Sequence, residues 1–328
     1  MNASLVMDVR DGLSRTPKQL PPKYLYDELG SALFEAICAL PWYRVTRAET
    51  ALLSQCAPLV ARHIAGTPFI VELGPGSGDK LLRLAEAFGT RPQKAHLHLI
   101  DISSSALAEA QQALARLEGF TVTVAHTTYD EGLAAIGEVR PAAAPMLTLL
   151  LGSNIGNFDD DDALAFLGRV RRAGQDTDWL LLGVDLVKPA RDLVLAYDDP
   201  LGVTAAFNKN LLVRLNRELG AGFDLATFDH RAVWNAGRLR VEMHLVSRVP
   251  QRVLIAGADL AVEFEAGESI WTESSMKYTP ARIAEFASAA GFSVRGQWVD
   301  ADAGFALSLM QAKVLDGRWV PPAVKKVN

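Results

Sequence analysis

The stretch from Phe69 to Phe88 limits what this chain can fold into more than any other. Phe69-Ile70-Val71-Glu72-Leu73 is a short run suited to a buried strand, and glycines follow at 74, 76 and 78. From Leu81 to Phe88 the apolar residues recur at helical spacing. The order is strand, tight turn, helix. Glycine takes positive φ readily and carries no Cβ, so a ligand can come close to the backbone. The helix start offers unpaired N–H groups to an anionic part of that ligand. A nucleotide-like cofactor is expected at this turn.

Two features choose among such cofactors. A dinucleotide fingerprint needs G-x-G-x-x-G, whereas Gly74-Pro75-Gly76-Ser77-Gly78 places the third glycine one residue early. That spacing counts against an NAD-dependent dehydrogenase. With Glu72 before the first glycine and Pro75 after it, the loop reads better as the E-x-G-x-G turn of class I S-adenosylmethionine (SAM) methyltransferases. A second strand, His96–Asp101, also ends in an acid, and Ser103 is placed to cap a helix over Ala106–Leu117. An acid closing the second strand of a Rossmann-like sheet suits ribose hydroxyls.

Composition narrows the classes that remain. The chain has 328 residues, enough for one large domain or two moderate ones. A formal charge of −5 argues against a nucleic-acid binder, whose affinity rests on clustered Lys and Arg. No apolar run is long enough for a transmembrane helix, and Met1–Thr16 carries Asp8, Arg10 and Asp11 without an apolar signal core. Cys38 and Cys56 lack metal spacing and are expected to be reduced, buried and inert. His96 and His98 share a strand face without nearby partners, and no metal constellation is visible. A cytoplasmic protein without nucleic-acid or membrane partners, working as a monomer, is expected.

Taken in order, residues 1–50 do not read as the start of the cofactor domain. Prolines at 17, 21 and 22 precede Tyr24–Ser31, then a helix over Ala32–Leu40 and a loop Pro41-Trp42-Tyr43-Arg44, an aromatic-rich cap or wall for a small-molecule site. Residues 51–187 alternate strand and helix. Further strands are expected at Thr121–Ala125, followed by a loop Thr127–Asp130, at Met146–Leu151, running into Gly152–Phe158, and at Trp179–Leu186, with a helix at Ala163–Arg172. Unbroken apolar runs suit parallel strands buried on both faces. Asp101, Tyr129, Asn157 and Asp185 fall at or just past strand ends, where such sheets bind ligands. After Lys188 come helices at Asp192–Tyr197 and Thr204–Leu219 and alternating strands such as Leu239–Val246. A helix Pro280–Ala290 and strands Phe292–Val299 and Phe305–Val314 resume the first pattern, and Leu315–Asn328 reads as a loose tail. The expectation is an α/β protein: a Rossmann-like class I SAM-methyltransferase sheet from residues 51–187 and 278–314, interrupted by a large α+β insertion. Residues 188–277 of that insertion join 1–50 as a substrate domain.

Four segments together make the chain resemble a known family. Tyr24-Leu25-Tyr26-Asp27-Glu28-Leu29-Gly30-Ser31, the glycine loop ending in Lys80, Gly152-Ser153-Asn154-Ile155-Gly156-Asn157, and Ala196–Asp199 with Gly202–Asn208 are similar to the histidine-specific SAM methyltransferases. The likeness runs from about Val9 to Val314. It implies conversion of L-histidine to Nα-trimethylhistidine (hercynine), the first intermediate of ergothioneine biosynthesis, with SAM as cofactor. For SAM it implies contacts from Tyr26, Glu72, Gly74, Gly76 and Lys80, a ribose contact from Asp101, and Thr128-Tyr129 beside the adenine. The family often has Asp-Phe at that pair, so Thr128 is a departure that leaves a threonine or backbone oxygen to meet the adenine amino group. For histidine, Tyr43, Asn157 and Tyr197 match residues that hold the α-amino and α-carboxylate groups and align the amine for reaction. Glu273 and Ser275 match the pair that grips the imidazole, and Phe34, Gly152 and Met243 line the pocket.

The residue chemistry agrees. Methyl transfer is an in-line displacement, so alignment of amine and methyl is the main task. The attacking amine must be neutral although a free amino group is largely protonated near pH 7, and a cage of tyrosine hydroxyls and an asparagine amide can orient its lone pair. A carboxylate at Glu273 accepts an imidazole N–H. Read singly, Glu273 suits a surface strand, Met243 a core position, Asn157 a helix cap and Tyr197 a helix face; jointly they suit a site. Two alternatives stay open: an N-methyltransferase of another amino acid, aromatic or histidine-like, and a SAM-binding protein without turnover.

Overall fold

The computed structural model describes residues 3–89, 95–142 and 144–314. The expected tail, Leu315–Asn328, lies outside these. The chain divides into two compact units, one of Met1–Arg44 with Lys188–Met276, the other of Val45–Val187 with the residues from Lys277 onward. The first break falls at 44/45, ahead of residue 50, because Val45–His63 is one continuous helix.

The second unit is built on a seven-stranded sheet. Its spatial order is Phe292–Asp300, Phe305–Ala312, Trp179–Asp185, Met146–Leu150, Phe69–Leu73, Ala95–Asp101, Phe120–His126. The five βα strands are parallel, and Phe305–Ala312 runs antiparallel to both its neighbours. Strands Phe69–Leu73, Met146–Leu150 and Trp179–Asp185 are buried along their whole length, which is why they read as unbroken apolar runs. Chain order reverses between Phe69–Leu73 and Met146–Leu150, so the sheet's topological switch point lies where the glycine turn and the Gly152 loop leave it. This is the α/β, class I methyltransferase arrangement.

The first unit holds a four-stranded sheet in the order Lys18–Gln19, Ser269–Met276, Arg240–Ser247, Phe228–Asn235. Alternate residues of Arg240–Ser247 are buried, as half-covered antiparallel strands require. Helices Ala190–Tyr197 and Val203–Leu219 pack on this sheet, and Val203–Leu219 also packs on Glu28–Ala39.

Local departures from expectation have identifiable causes. The helix expected from Ala32 starts at Glu28, because Asp27 caps it by accepting from Gly30 N at 2.8 Å. The loop expected at Thr127–Asp130 is cut short: Thr128 and Glu131 form a reciprocal capping box that starts a helix at Tyr129. Asn154–Asn157 is a short 3-10 turn, and Asp159 rather than Asn157 caps the helix that follows. Ser103 is the cap that was expected, accepting from Ala106 N. Cys38 is half-buried while Cys56 is fully buried, and neither forms a disulfide among the described residues. His98 has a partner after all, Thr123 Oγ1 at 2.8 Å from its Nδ1.

Candidate active site

In the second unit the glycine turn sits at the switch point. Gly74, Gly76 and Gly78 all have positive φ. At Gly74 a Cβ would collide with the Tyr129 hydroxyl and lie 2.7 Å from Asn154 Nδ2, so any side chain there would fill the turn. Tyr129 itself is held by a hydrogen bond with Asn154, and burial, with Asp101 and Glu72 nearby, pushes its phenol pKa far up. The structure thus places Tyr129 against the glycine turn. Asn154, inside the Gly152–Asn157 motif but not singled out from sequence, closes the same turn.

Glu72 is the last residue but one of the strand that feeds this turn. It is 0% exposed, and neither carboxylate oxygen has a hydrogen-bond partner among the described residues. Burial, against the pull of Lys80 and with Glu49 and Asp101 adding repulsion, raises its pKa to about 8. Two orphaned buried acceptors beside a glycine turn ask for a donor that the protein does not supply. A cofactor carrying an ammonium group, as SAM does, fits them. Asp101 closes the next strand, its carboxylate accepting from Ser103 N at 2.8 Å, and burial raises its pKa too. One oxygen is thereby committed to the turn, and a carboxylate has lone pairs to spare for a diol.

Lys80 donates to Glu49 Oε2 at 2.9 Å, and the Glu49 carboxylate also accepts from Gly152 N at 2.9 Å. Glu49 is fully buried. This network joins the glycine-turn helix to the Gly152 loop. Sequence reasoning missed Glu49, which sits in an unremarkable helical pattern. Thr128, expected near the adenine, is exposed, and its hydroxyl is engaged with Glu131 in both directions. Asn157 is half-buried, and its side chain makes no hydrogen bond within the described residues. Among the described residues no three His, Cys, Asp or Glu side chains gather as metal ligands, and no helix is long and apolar enough to cross a membrane.

The first unit gathers the remaining residues. Tyr26, Phe34, Tyr43, Tyr197 and Phe207 form a chain of edge and tilted ring contacts with centroids 5.4 to 6.2 Å apart. Phe207 was not picked out from sequence. On the strand Ser269–Met276, Glu273 and Ser275 stand two residues apart on one face, 7% and 5% exposed. Glu273 pairs across the ladder with Met243, which is fully buried. Tyr26 donates to Glu273 Oε1 at 3.4 Å, and Tyr197 to Ser275 Oγ at 2.7 Å. Tyr26, grouped by resemblance with the cofactor contacts, therefore stands beside the imidazole pair of that resemblance.

A bulge decides which way Glu273 faces. Trp271 pairs with His244, but Glu273 pairs with Met243, so Thr272 is the extra residue. Regular pairing would have set Glu273 opposite Glu242 on the half-exposed face. The bulge turns it to the buried face with Met243.

A donor and an acceptor on one strand face are what a neutral imidazole requires: Glu273 for its N–H, and a hydroxyl such as Ser275 for its lone pair.

Comparison with known proteins adds an independent line. The sequence model of a family described as histidine-specific, SAM-dependent methyltransferase matches residues 5–312. A histidine N-alpha-methyltransferase of Mycolicibacterium smegmatis is 40% identical over 308 residues, 93% of this chain and 94% of that protein. Ergothioneine biosynthesis protein 1 of Neurospora crassa is 28% identical over 291 residues, 86% of this chain but 32% of that protein. A 4-dimethylallyltryptophan N-methyltransferase of Epichloe festucae var. lolii is 27% identical over 316 residues, 90% of this chain and 92% of that protein.

Proposed function

We propose, since the chain belongs to the histidine-specific, SAM-dependent methyltransferases, that it methylates the α-amine of L-histidine up to three times. The product is Nα-trimethylhistidine, the first intermediate of ergothioneine biosynthesis. The observation that carries this reading is the pair Glu273 and Ser275 on one buried strand face, an acceptor and a hydroxyl matched to imidazole.

SAM supplies an electrophilic methyl group on a sulfonium. In this reading Glu72 and the turn Gly74–Gly78 receive its amino-acid part, Asp101 its ribose, and Tyr129 walls the turn. Lys80, paired with Glu49, holds the turn to the Gly152 loop. Histidine is gripped by Glu273 and Ser275 at its ring, with Phe34 and Met243 as apolar walls. Tyr43, Tyr197 and Asn157 hold its α-amino and α-carboxylate groups and keep the amine lone pair on the line of attack, so their role is alignment. Each transfer removes an N–H donor, and hydroxyl and amide groups that can either donate or accept tolerate that loss. The enzyme works in the cytoplasm as a monomer on a free amino acid, and its charge of −5 opposes a nucleic-acid partner.

A second reading, an indole amino acid, draws on the relative from Epichloe festucae var. lolii. Glu273 would accept the indole N–H, but indole offers no lone pair to a hydroxyl donor. The imidazole reading uses both residues.

The test is mass spectrometry of the protein incubated with SAM and an equimolar mixture of the common amino acids. Histidine alone gaining up to three methyl groups is expected. Another amino acid gaining mass would overturn the roles of Glu273 and Ser275, and bound SAM without product would overturn the activity.

A further inference from the structure

On the sheet face that carries Glu273, where His230 pairs with Leu245 two residues from Met243, lies a buried polar chain that the reaction does not use. Thr272, the bulged residue, donates to Asn208 Oδ1 at 2.7 Å, with Met243 O also at 3.0 Å. Asn208 Nδ2 lies 3.1 Å from His244 O and 2.9 Å from His230 Nδ1. His230 Nε2 lies 2.8 Å from Tyr197 O. The His230 side chain is 2% exposed.

Every proton in this chain is assigned by one carbonyl. The His244 carbonyl can only accept, so the Asn208 amide must turn its NH2 toward it. That NH2 also faces His230 Nδ1, which must therefore be the acceptor. The ring proton then sits on Nε2 and is donated to Tyr197 O.

We propose that His230 is a positioning residue for histidine binding: through Asn208 and Thr272 it holds the bulge that aims Glu273, and through Nε2 it anchors the backbone of Tyr197. It thereby sets the geometry of the two ligand-gripping elements without touching the ligand itself. The inference rests on the histidine reading of that pocket.

Protonation undoes the arrangement. A proton on Nδ1 would face the Asn208 NH2, donor against donor, and flipping the amide would set Oδ1 against the His244 carbonyl. The charged groups facing His230 are Asp198, 4.0 Å from Nε2, with Asp199 and Lys209. Burial opposes the charged ring most strongly, with a smaller push from Lys209, while the hydrogen bond to Tyr197 O and the charges of Asp198 and Asp199 favour it, and the net shift is downward. The ring is accordingly neutral at pH 7.

The experiment compares His230→Phe, His230→Gln and Thr272→Val with the wild type, measuring histidine KM, kcat and the Kd of S-adenosylhomocysteine. The expected result is a rise in histidine KM of roughly tenfold in His230→Phe and Thr272→Val, the scale of one lost hydrogen bond in alignment. The Kd of S-adenosylhomocysteine stays unchanged. His230→Gln, whose amide nitrogen can replace Nε2–H, recovers most of the loss. Toward acid pH, kcat/KM for histidine falls further in the wild type than in His230→Gln, beyond the loss both share from protonation of the substrate's own amine and imidazole. Unchanged histidine KM in folded His230→Phe overturns the proposal. If His230→Phe does not fold, the near-isosteric Thr272→Val decides: unchanged KM there overturns it as well. A wild-type protein inert toward histidine would instead remove the reading on which the proposal rests.

Discussion

A carboxyl group sealed among apolar strands with neither oxygen bonded resists ionisation, and Glu72 is such a group. Its pKa, about 8 in the fold, stands above the ordinary carboxylate value. Between the two values the folded state holds a proton that the unfolded chain has lost, so stability falls as pH rises through that interval. Glu72→Gln removes this slope. Without ligand, its melting temperature should exceed that of the wild type by several degrees at pH 8 and differ little at pH 5, while its affinity for SAM drops. Equal melting curves at both pH values would contradict the burial argument. At the other cluster, Glu273→Ala deletes the imidazole acceptor. Histidine KM should rise by about tenfold to a hundredfold, as for a lost charged hydrogen bond, and selectivity against other amino acids should loosen. An unchanged histidine KM would remove Glu273 from the pocket.

Elements set these residues in place, and the glycine turn is the least forgiving of them. Gly74→Ala would press a methyl group against Asn154 and the Tyr129 hydroxyl at a positive φ. Binding of S-adenosylhomocysteine, followed by calorimetry, should fall by more than about a hundredfold, the scale of an overpacked site. Tyr129→Phe in the same chain should not restore it, because Asn154 remains 2.7 Å away. The helix Tyr129–Ala134 depends on its capping box. Thr128→Ala should cost about 1 kcal/mol in chemical denaturation, with histidine KM unchanged. The turn, its strand and the Ser103 cap were legible from sequence because each is a local pattern of glycine, apolar period and short polar side chain. The start of the helix at Tyr129 was not, because Thr127-Thr128-Tyr129-Asp130 also suits a loop, and Glu131 decides the matter from the third helical position.

At the scale of the whole chain, the two compact units each carry one part of the proposed chemistry: the glycine turn and acids in one, the aromatic chain and imidazole pair in the other. A ligand that binds only the folded state stabilises it by mass action. S-adenosylhomocysteine at a hundred times its Kd should add about 2.7 kcal/mol, seen as a rise of several degrees in melting temperature, and Gly74→Ala should show no such rise.

By itself the sequence determined the parallel sheet, the glycine turn at its switch point, the acids that end two strands, the interrupting half-exposed sheet and the family likeness. All of these are written in residues near one another in the chain, through period, turn chemistry and motif. Only the tertiary structure decided that Tyr26 meets Glu273, that Tyr197 meets Ser275, that Glu49 ties Lys80 to Gly152, and that Asn154 closes the turn on Gly74. It also decided that Glu273 faces inward at all. A one-residue bulge reverses the face of every side chain beyond it, and no local pattern in Trp271-Thr272-Glu273 says where strand pairing will slip. Such partners depend on register and topology, which are settled by packing across the sheet.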